Sequence, residues 1–297
     1  MIRSFFRTFR FMLSHPIGRR QPFKTLTRWL RWQTGSRLLG WPVAAPFISS
    51  TRLLLRTGMR GATMNLYVGL WEFEDMAFLM HLLRPGDRFI DIGANVGTYT
   101  VLAAGVRQAH VIAIEPVPDT YQALLDNIHL NRLGGKVVAH NVGLAAREGK
   151  LPFSVSEGPT NHVLTTAENS VPAACIPVKR LDDLAADYAP TAVKIDVEGF
   201  EQEVIRGGQS VLSSKSLMAM IVELNQLGAR YGIDNHTTDA MLRNFGFSTV
   251  KYDPFRRHLE MVALPNSSGN TLYIRPSEEM QLRLRTSPPL DVYGIRI

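Results

Sequence analysis

The chain has 297 residues, 45% of them hydrophobic, enough for one substantial α/β core with an appendage. A single cysteine, Cys175, excludes an intramolecular disulfide and a cysteine metal cluster, and fits a reducing, cytoplasmic setting. No window reaches the roughly 18 apolar residues of a membrane span, and arginines interrupt every apolar run of the N-terminus, against a signal peptide. The net charge of +7 is uneven: residues 1–71 hold twelve Lys or Arg and no acid, while the rest holds 21 basic and 26 acidic residues.

In chain order, the basic segment begins MIRSFFRTFRFMLSH. Phe5, Phe6, Phe9, Met12 and Leu13 fall on one helical face, with Arg3, Arg7 and Arg10 elsewhere. A second run, Lys24 to Trp32, reads alike. Aromatics, leucines and arginines without acids suit helices on an anionic membrane surface, through residues 1–35. The plainer reading is an extension that packs its apolar face on the domain. RNA binding is disfavoured, since no RNA-binding module is visible. GWPVAAP at 40–46 reads as a linker or turn with Pro42 and Pro46 as breakers. Residues 52–68 suggest a strand or two, and Glu72 to Leu83 has helical periodicity.

DRFIDIGANVGTYT follows at 87–100. A short buried strand ends in Asp91, small residues turn the chain, and Thr98 opens a helix whose free N–H groups can face a ligand. Glycine allows close approach because it lacks Cβ. The spacing D-x-G-x-N-x-G over Asp91, Gly93, Asn95 and Gly97 departs from the dinucleotide pattern G-x-G-x-x-G. It is the pattern of S-adenosylmethionine enzymes.

The next strand, HVIAIE, ends in Glu115, about twenty residues after the turn, where an acid can hold ribose hydroxyls. Pro116 follows it, and residues 119–133 form an amphipathic helix. KVVAHNV at 136–142 is a third strand, with Asn141 positioned either for the adenine or as a turn residue. The polar stretch 143–183 contains strands at 150–156 and 174–179 and reads as a substrate-facing insertion, with Asn161 and His162 at its tip. His162 is either a proton-transfer candidate or an exposed loop histidine. AVKIDVEG at 192–199 brings Asp196 and Glu198 to the end of a fourth strand, and LMAMIVE at 217–223 adds Glu223 at a fifth. In an open parallel sheet those ends face the ligand crevice. Strands at 247–252 and 270–274 read as an antiparallel edge pair, and the tail from Arg275 shows little periodicity.

In combination, LRPGDRFIDIGANVGTYT, EPVPDTYQALLDNIHLN, RLDDL, KIDVEGFEQEVIRGG, IVELN and NTLYIRP resemble the FkbM-type S-adenosylmethionine-dependent methyltransferases from about Leu70 to Pro276. The resemblance implies an α/β, Rossmann-like class I methyltransferase fold with a seven-stranded, mostly parallel sheet whose last strand is antiparallel. The chain then divides into a basic helical extension (1–50), a methyltransferase domain (51–276) and a tail (277–297). It also implies S-adenosyl-L-methionine held by Asp91, Gly93, Asn95, Gly97, Thr98, Glu115, Pro116, Asn141 and Asp196. Methyl transfer to oxygen is implied, on a sugar, glycan or other natural-product hydroxyl. Deprotonating an alcohol needs a base near the methyl group, and Asp196, Glu198, Glu223 and His162 are the candidates. One histidine and acids separated in sequence do not suggest a metal centre. Two other readings are a non-catalytic membrane- or polyanion-binding protein on a methyltransferase-like body, and an NAD-dependent oxidoreductase. The partner expected is a small-molecule or glycan acceptor rather than nucleic acid, and the oligomeric state stays open.

Overall fold

The computed structural model describes residues 2–168, 170–267 and 269–297. In chain order its helices are α1 (Ile2–Ser14), α2 (Pro16–Arg20), α3 (Pro22–Leu39), α4 (Arg60–Val68), α5 (Phe73–Leu82), α6 (Thr98–Val101), α7 (Pro118–Leu130), α8 (Leu181–Ala185), α9 (Glu201–Gly207), α10 (Gln209–Ser213), α11 (Asn235–Asn244) and α12 (Glu278–Thr286). The strands are β1 (Val43–Pro46), β2 (Arg52–Leu55), β3 (Arg88–Ile92), β4 (His110–Ile114), β5 (Val137–His140), β6 (Gly143–Leu144), β7 (Gly149–Ser154), β8 (Ala173–Lys179), β9 (Ala192–Ile195), β10 (Ala219–Leu224), β11 (Ser248–Asp253), β12 (His258–Met261), β13 (Gly269–Ile274), β14 (Asp291–Val292) and β15 (Ile295–Arg296).

Among the described residues, eight strands form the main sheet in the order β12-β11-β13-β10-β9-β3-β4-β5. The central strands β10, β9, β3, β4 and β5 run parallel, and β13 is antiparallel to both its neighbours. Strands buried on both faces must be apolar throughout, and the runs FIDI, VIAI and AVKI are nearly so. Alternate side chains enter two different cores. Phe89, Val111 and Ala192 join one with α5, α7 and the chain termini, while Ile90, Ile112 and Val193 join the other with α9, α10 and α11. The chain winds outward from β3 to β5, then returns to lay β9 on the far side of β3. Strand order therefore reverses between β3 and β9. A crevice opens outside the carboxyl ends of the two strands, because their following connections leave in opposite directions.

Several expectations need correction. The stretch 40–46 is not merely a turn: β1 pairs with β2 as an antiparallel hairpin, with Pro46 opposite Arg52 at its end. Residues 60–68 are a helix rather than strand. The last two long strands, β11 and β13, do pair antiparallel, but they are not the edge, since β12 adds an eighth strand outside them. The tail is also ordered. Ser277 caps α12 by accepting from the Met280 N–H, and Met280, Leu284, Val292 and Ile297 are buried in the same core as Met12 and Ile17. Its pattern escaped notice because Met280 and Leu284 are the buried pair in a helix otherwise full of charge.

The N-terminal segment adopts helices, and part of its apolar surface does pack on the domain. Gly18 lets α2 cross α1 closely, for a Cβ there would lie 1.8 Å from the Met12 carbonyl oxygen. His15, buried and lowered to about 4 by that burial, accepts from the Ile17 N–H through Nδ1 and meets the Leu70 carbonyl through Nε2 at 2.8 Å. The side chains of Arg3 and Phe5 lie outside the described residues.

Candidate active site

The turn after β3 is built by left-handed residues: Gly93 at φ 73°, Asn95 at φ 50° and Gly97 at φ 86°. The two glycines also make room for neighbouring parts of the chain. A Cβ on Gly93 would lie 1.8 Å from the Asp196 carbonyl oxygen, and one on Gly97 would lie 2.5 Å from Leu124. Gly93 thus lets the turn rest against the end of β9, which brings the DIGANVG and KIDVEG motifs together. Asn95 tolerates its left-handed backbone because its side chain bonds locally, Oδ1 accepting from the Val96 N–H at 2.8 Å.

Two cavities that share wall residues lie outside these strand ends. A narrow slot is lined by Ile114, Glu115, Pro116, Val142, Phe153 and Val163, among others, and suits a flat ring with a polar edge. A larger cavity of about 710 Å³ is bounded by Trp71, Glu72, Asp91, Tyr99, Lys194 and Glu223. Gly93, Asn95, Thr120, Gly158, Asp196 and Glu198 border both. The insertion does fold over the site, but chiefly over the narrow slot, through Phe153, Gly158, Asn161 and Val163.

Glu115 is fully engaged with backbone. Its Oε2 accepts from the Asn95 N–H at 2.9 Å and its Oε1 from the Val117 N–H at 3.0 Å. Each oxygen keeps a second lone pair, so a ribose hydroxyl can still donate to it. Burial pushes Glu115 up to about 7, against those two bonds. Asp91 is buried; Thr100 Oγ1 donates to its Oδ2 at 2.6 Å, while its Oδ1 has no partner among the described residues. Burial raises its pKa, opposed by the nearby Lys194 ammonium. Thr98 borders the large cavity. Gly97 and Asn141 border neither cavity. Asn141 instead donates through Nδ2 to the carbonyls of Glu115 and Pro116, bracing the strand end.

At the opposite wall, oxygens of Asp196, Glu198 and Glu223 all lie within 4.8 Å of one another. Acids far apart in sequence thus meet as a group that could hold a cation, which their spacing did not suggest. Strands β9 and β10 are parallel neighbours, with Ile195 opposite Val222, so their carboxyl ends deliver these acids to one place. Lys194, on the same strand as Asp196, reaches its Oδ2 at 2.6 Å. Burial alone would lower the lysine, but Asp196, Glu72 and Asp91 outweigh it and hold it raised. Burial, then the Asp196 and Glu198 charges, push Glu223 up to about 10, so it carries a proton at neutral pH. Glu198 rises to about 7 through burial, Asp196 and Glu201. Its left-handed backbone, at φ 55° before Gly199 at φ 102°, turns the chain so that its side chain faces the cavities. Glu201 supports this turn by accepting from the Gly199 N–H at 3.0 Å.

His162 does not join them. It is 5% exposed, not an open loop histidine, and it borders neither cavity. Its Nδ1 lies 3.1 Å from Glu157 and its Nε2 3.0 Å from Glu168, so it clamps the insertion loop. Two further acids start α5: Glu72 borders the large cavity, and Asp75 accepts from Asn270 Nδ2 at 3.2 Å. Burial raises both, Asp75 to about 7. Their place at the start of an apolar helix was the available signal, because a carboxylate there points back toward the sheet edge.

The sequence profile of the Methyltransferase FkbM domain matches residues 91–249, more than half of the chain. The protein belongs to the FkbM methyltransferase family. This FkbM-family chain is 29% identical over 189 residues to the hexuronic acid methyltransferase AglP of Haloferax volcanii, spanning 61% of this chain and 74% of that protein. It is 27% identical over 220 residues to the 31-O-demethyl-FK506 methyltransferase FkbM of Streptomyces tacrolimicus, spanning 61% and 82%. Among solved structures, precorrin-6y C5,15-methyltransferase from Geobacter metallireducens superposes with a TM-score of 0.41 at 11% identity, over 76% of this chain and 94% of that one. The assignment of fold rests on the strand order above rather than on that superposition.

Proposed function

We propose that this methyltransferase uses S-adenosyl-L-methionine and methylates a hydroxyl of a sugar or glycan. The observation that carries the reading is the acidic border shared by the two cavities. The slot suits an adenine beside the ribose-binding Glu115, and the unpartnered Asp91 Oδ1 suits the ammonium of an amino acid moiety. When bound, S-adenosyl-L-methionine supplies a methyl group on a positively charged sulfur.

The chain's own groups then have separable tasks. Glu198, at about 7, is partly ionised at neutral pH and is the best-matched base for the acceptor hydroxyl proton, which it takes on its carboxylate. Glu223 keeps its proton and directs it toward Asp196 as a hydrogen bond, which lowers the repulsion among three carboxylates. Lys194 fixes the position of Asp196 through its contact with Oδ2. Walls bordered by Trp71 and Tyr99 give a sugar ring apolar faces to lie on, while the acids accept its hydroxyls. The similarity to AglP, a hexuronic acid methyltransferase by name, supports a sugar acceptor. The lone, exposed Cys175 agrees with a cytoplasmic site of action.

Titration with S-adenosylhomocysteine and NAD, followed by transfer of labelled methyl groups into glycan, lipid, small-molecule and RNA pools, tests the reading. Binding of S-adenosylhomocysteine alone and alkali-stable label in saccharide-containing pools are expected. Binding of NAD instead, or label confined to RNA, overturns it.

A further inference from the structure

The N-terminal helices carry apolar residues on two opposite faces, and the fold uses only one. On α3, Thr25, Trp29, Trp32 and Ser36 follow helical spacing and turn inward, with Thr25, Trp32 and Ser36 buried and Trp29 packed on the core. The outward line of the same helix holds Phe23 (84% exposed), Leu30 and Leu38 (85% exposed), set seven and eight residues apart, which is two helical turns. Lys24, Arg31 and Arg37 are exposed beside them. On α1, Met12 is buried, whereas Phe6 and Leu13 face out seven residues apart, with exposed Arg10 between them. Trp41, 79% exposed, follows the end of α3.

Large apolar side chains in water at regular helical spacing cost free energy and add nothing to this core. The basic residues among them form no ion pair among the described residues of α1 and α3, and no acid occurs before Glu72. Among the described residues no helix is long and apolar enough to cross a membrane. An RNA partner would match the charge but not the outward Phe23, Leu30 and Leu38. A second copy would match the apolar line but would set two uniformly basic faces together. A bilayer surface with anionic headgroups matches both, because phosphates meet the arginines while Phe, Leu and Trp enter the acyl boundary.

We infer that the outward face of α1 and α3, extended by Trp41, docks the protein on an anionic membrane surface. Helix α3 packs on α4, whose Gly61, Ala62 and Asn65 border the large cavity. Docking therefore sets that cavity one helix layer from the lipid headgroups.

The test is sedimentation of the full chain with vesicles of phosphatidylcholine alone or with about one quarter phosphatidylglycerol. Binding to the anionic vesicles at least about tenfold above the neutral ones is expected. Two variants separate the contributions: Phe23→Ser with Leu30→Ser and Leu38→Ser, and Arg10→Gln with Arg31→Gln and Arg37→Gln. All six positions are exposed, so each variant should keep the wild-type melting temperature and S-adenosylhomocysteine affinity while losing roughly fivefold or more of the vesicle binding. Equal binding to neutral and anionic vesicles overturns the inference. So does loss in the arginine variant alone together with retention on RNA, which marks a polyanion site, or a concentration-dependent dimer abolished by the serine variant. If S-adenosylhomocysteine fails to bind any form while anionic vesicles do, the cofactor reading falls and the docking face stands.

Discussion

Two turns at neighbouring strand ends use similar residues to different effect. After β3, the turn with left-handed Gly93, Asn95 and Gly97 is held by Glu115 from the end of β4, whose two oxygens are both engaged by backbone N–H groups. After β9, left-handed Glu198 and Gly199 lead into Glu201, which braces its own turn, while Glu198 and the neighbouring Glu223 face the cavity. Glu223 Oε2 has no partner among the described residues. The first turn is satisfied internally and serves as a fixed support. The second holds half-buried carboxylates close together with one lysine, so its protonation state can respond to what binds. Polar groups without partners in a low-dielectric cavity are costly to keep, and they gather where ligands are handled.

The contrast can be broken most severely at Gly93. Gly93→Ala places a Cβ against the Asp196 carbonyl oxygen and strains a left-handed backbone. A loss of roughly 3 kcal/mol or more of stability, with cofactor binding abolished, is expected in denaturant melts and titration calorimetry. Next comes Glu198→Gln, which should lower kcat by about 10² to 10⁴-fold while leaving S-adenosylhomocysteine affinity nearly unchanged. The wild-type rate should rise with pH through about 7, as Glu198 loses its proton, and the variant should lack that limb. A kcat within threefold of wild type would remove Glu198 from the chemistry.

The carboxylates that brace the two turns have their own pH signature. Glu115 and Glu201 have folded-state values near 7, above the ordinary carboxylate range, because both are buried. Their stabilising contribution is complete below the unfolded value and is lost as pH rises through about 7. His15 and His81 are lowered by burial to about 4 and 3, so neither titrates between folded and unfolded states above pH of about 7. The melting temperature of the cofactor-free protein should therefore fall between about pH 6.5 and pH 7.5, and Glu115→Gln should flatten the fall. An unchanged or rising melting temperature contradicts the burial argument.

Two smaller effects sharpen the boundary between support and chemistry. Asn141→Ala removes both bonds to the Glu115 and Pro116 carbonyls and should cost about 1 to 2 kcal/mol, read by denaturant melts. His162→Gln should change kcat by less than about twofold, since the ring borders neither cavity; a larger loss would restore it as a catalytic candidate.

The strand, turn and helix around DIGANVG were readable because their signals are local: a short apolar run, small residues at set spacing and an acid at each strand end. The same local signals mark Asp91, Glu115, Asp196, Glu198 and Glu223. The family membership follows from the same motifs. What Gly93 is for could not be read this way, because the atom it makes room for belongs to Asp196, a hundred residues on. The convergence of Glu198 with Glu223 depends on parallel pairing of β9 with β10, and pairing is a property of the whole sheet. His162 looked available because polar loops are usually exposed, and only the carboxylates folded around it hide it. The N-terminal helices show the same division. Their charge and apolar content are plain in the sequence, but helical spacing alone cannot say which of two apolar faces meets the core. Burial is decided by the partner surface, and that surface exists only once the chain has folded.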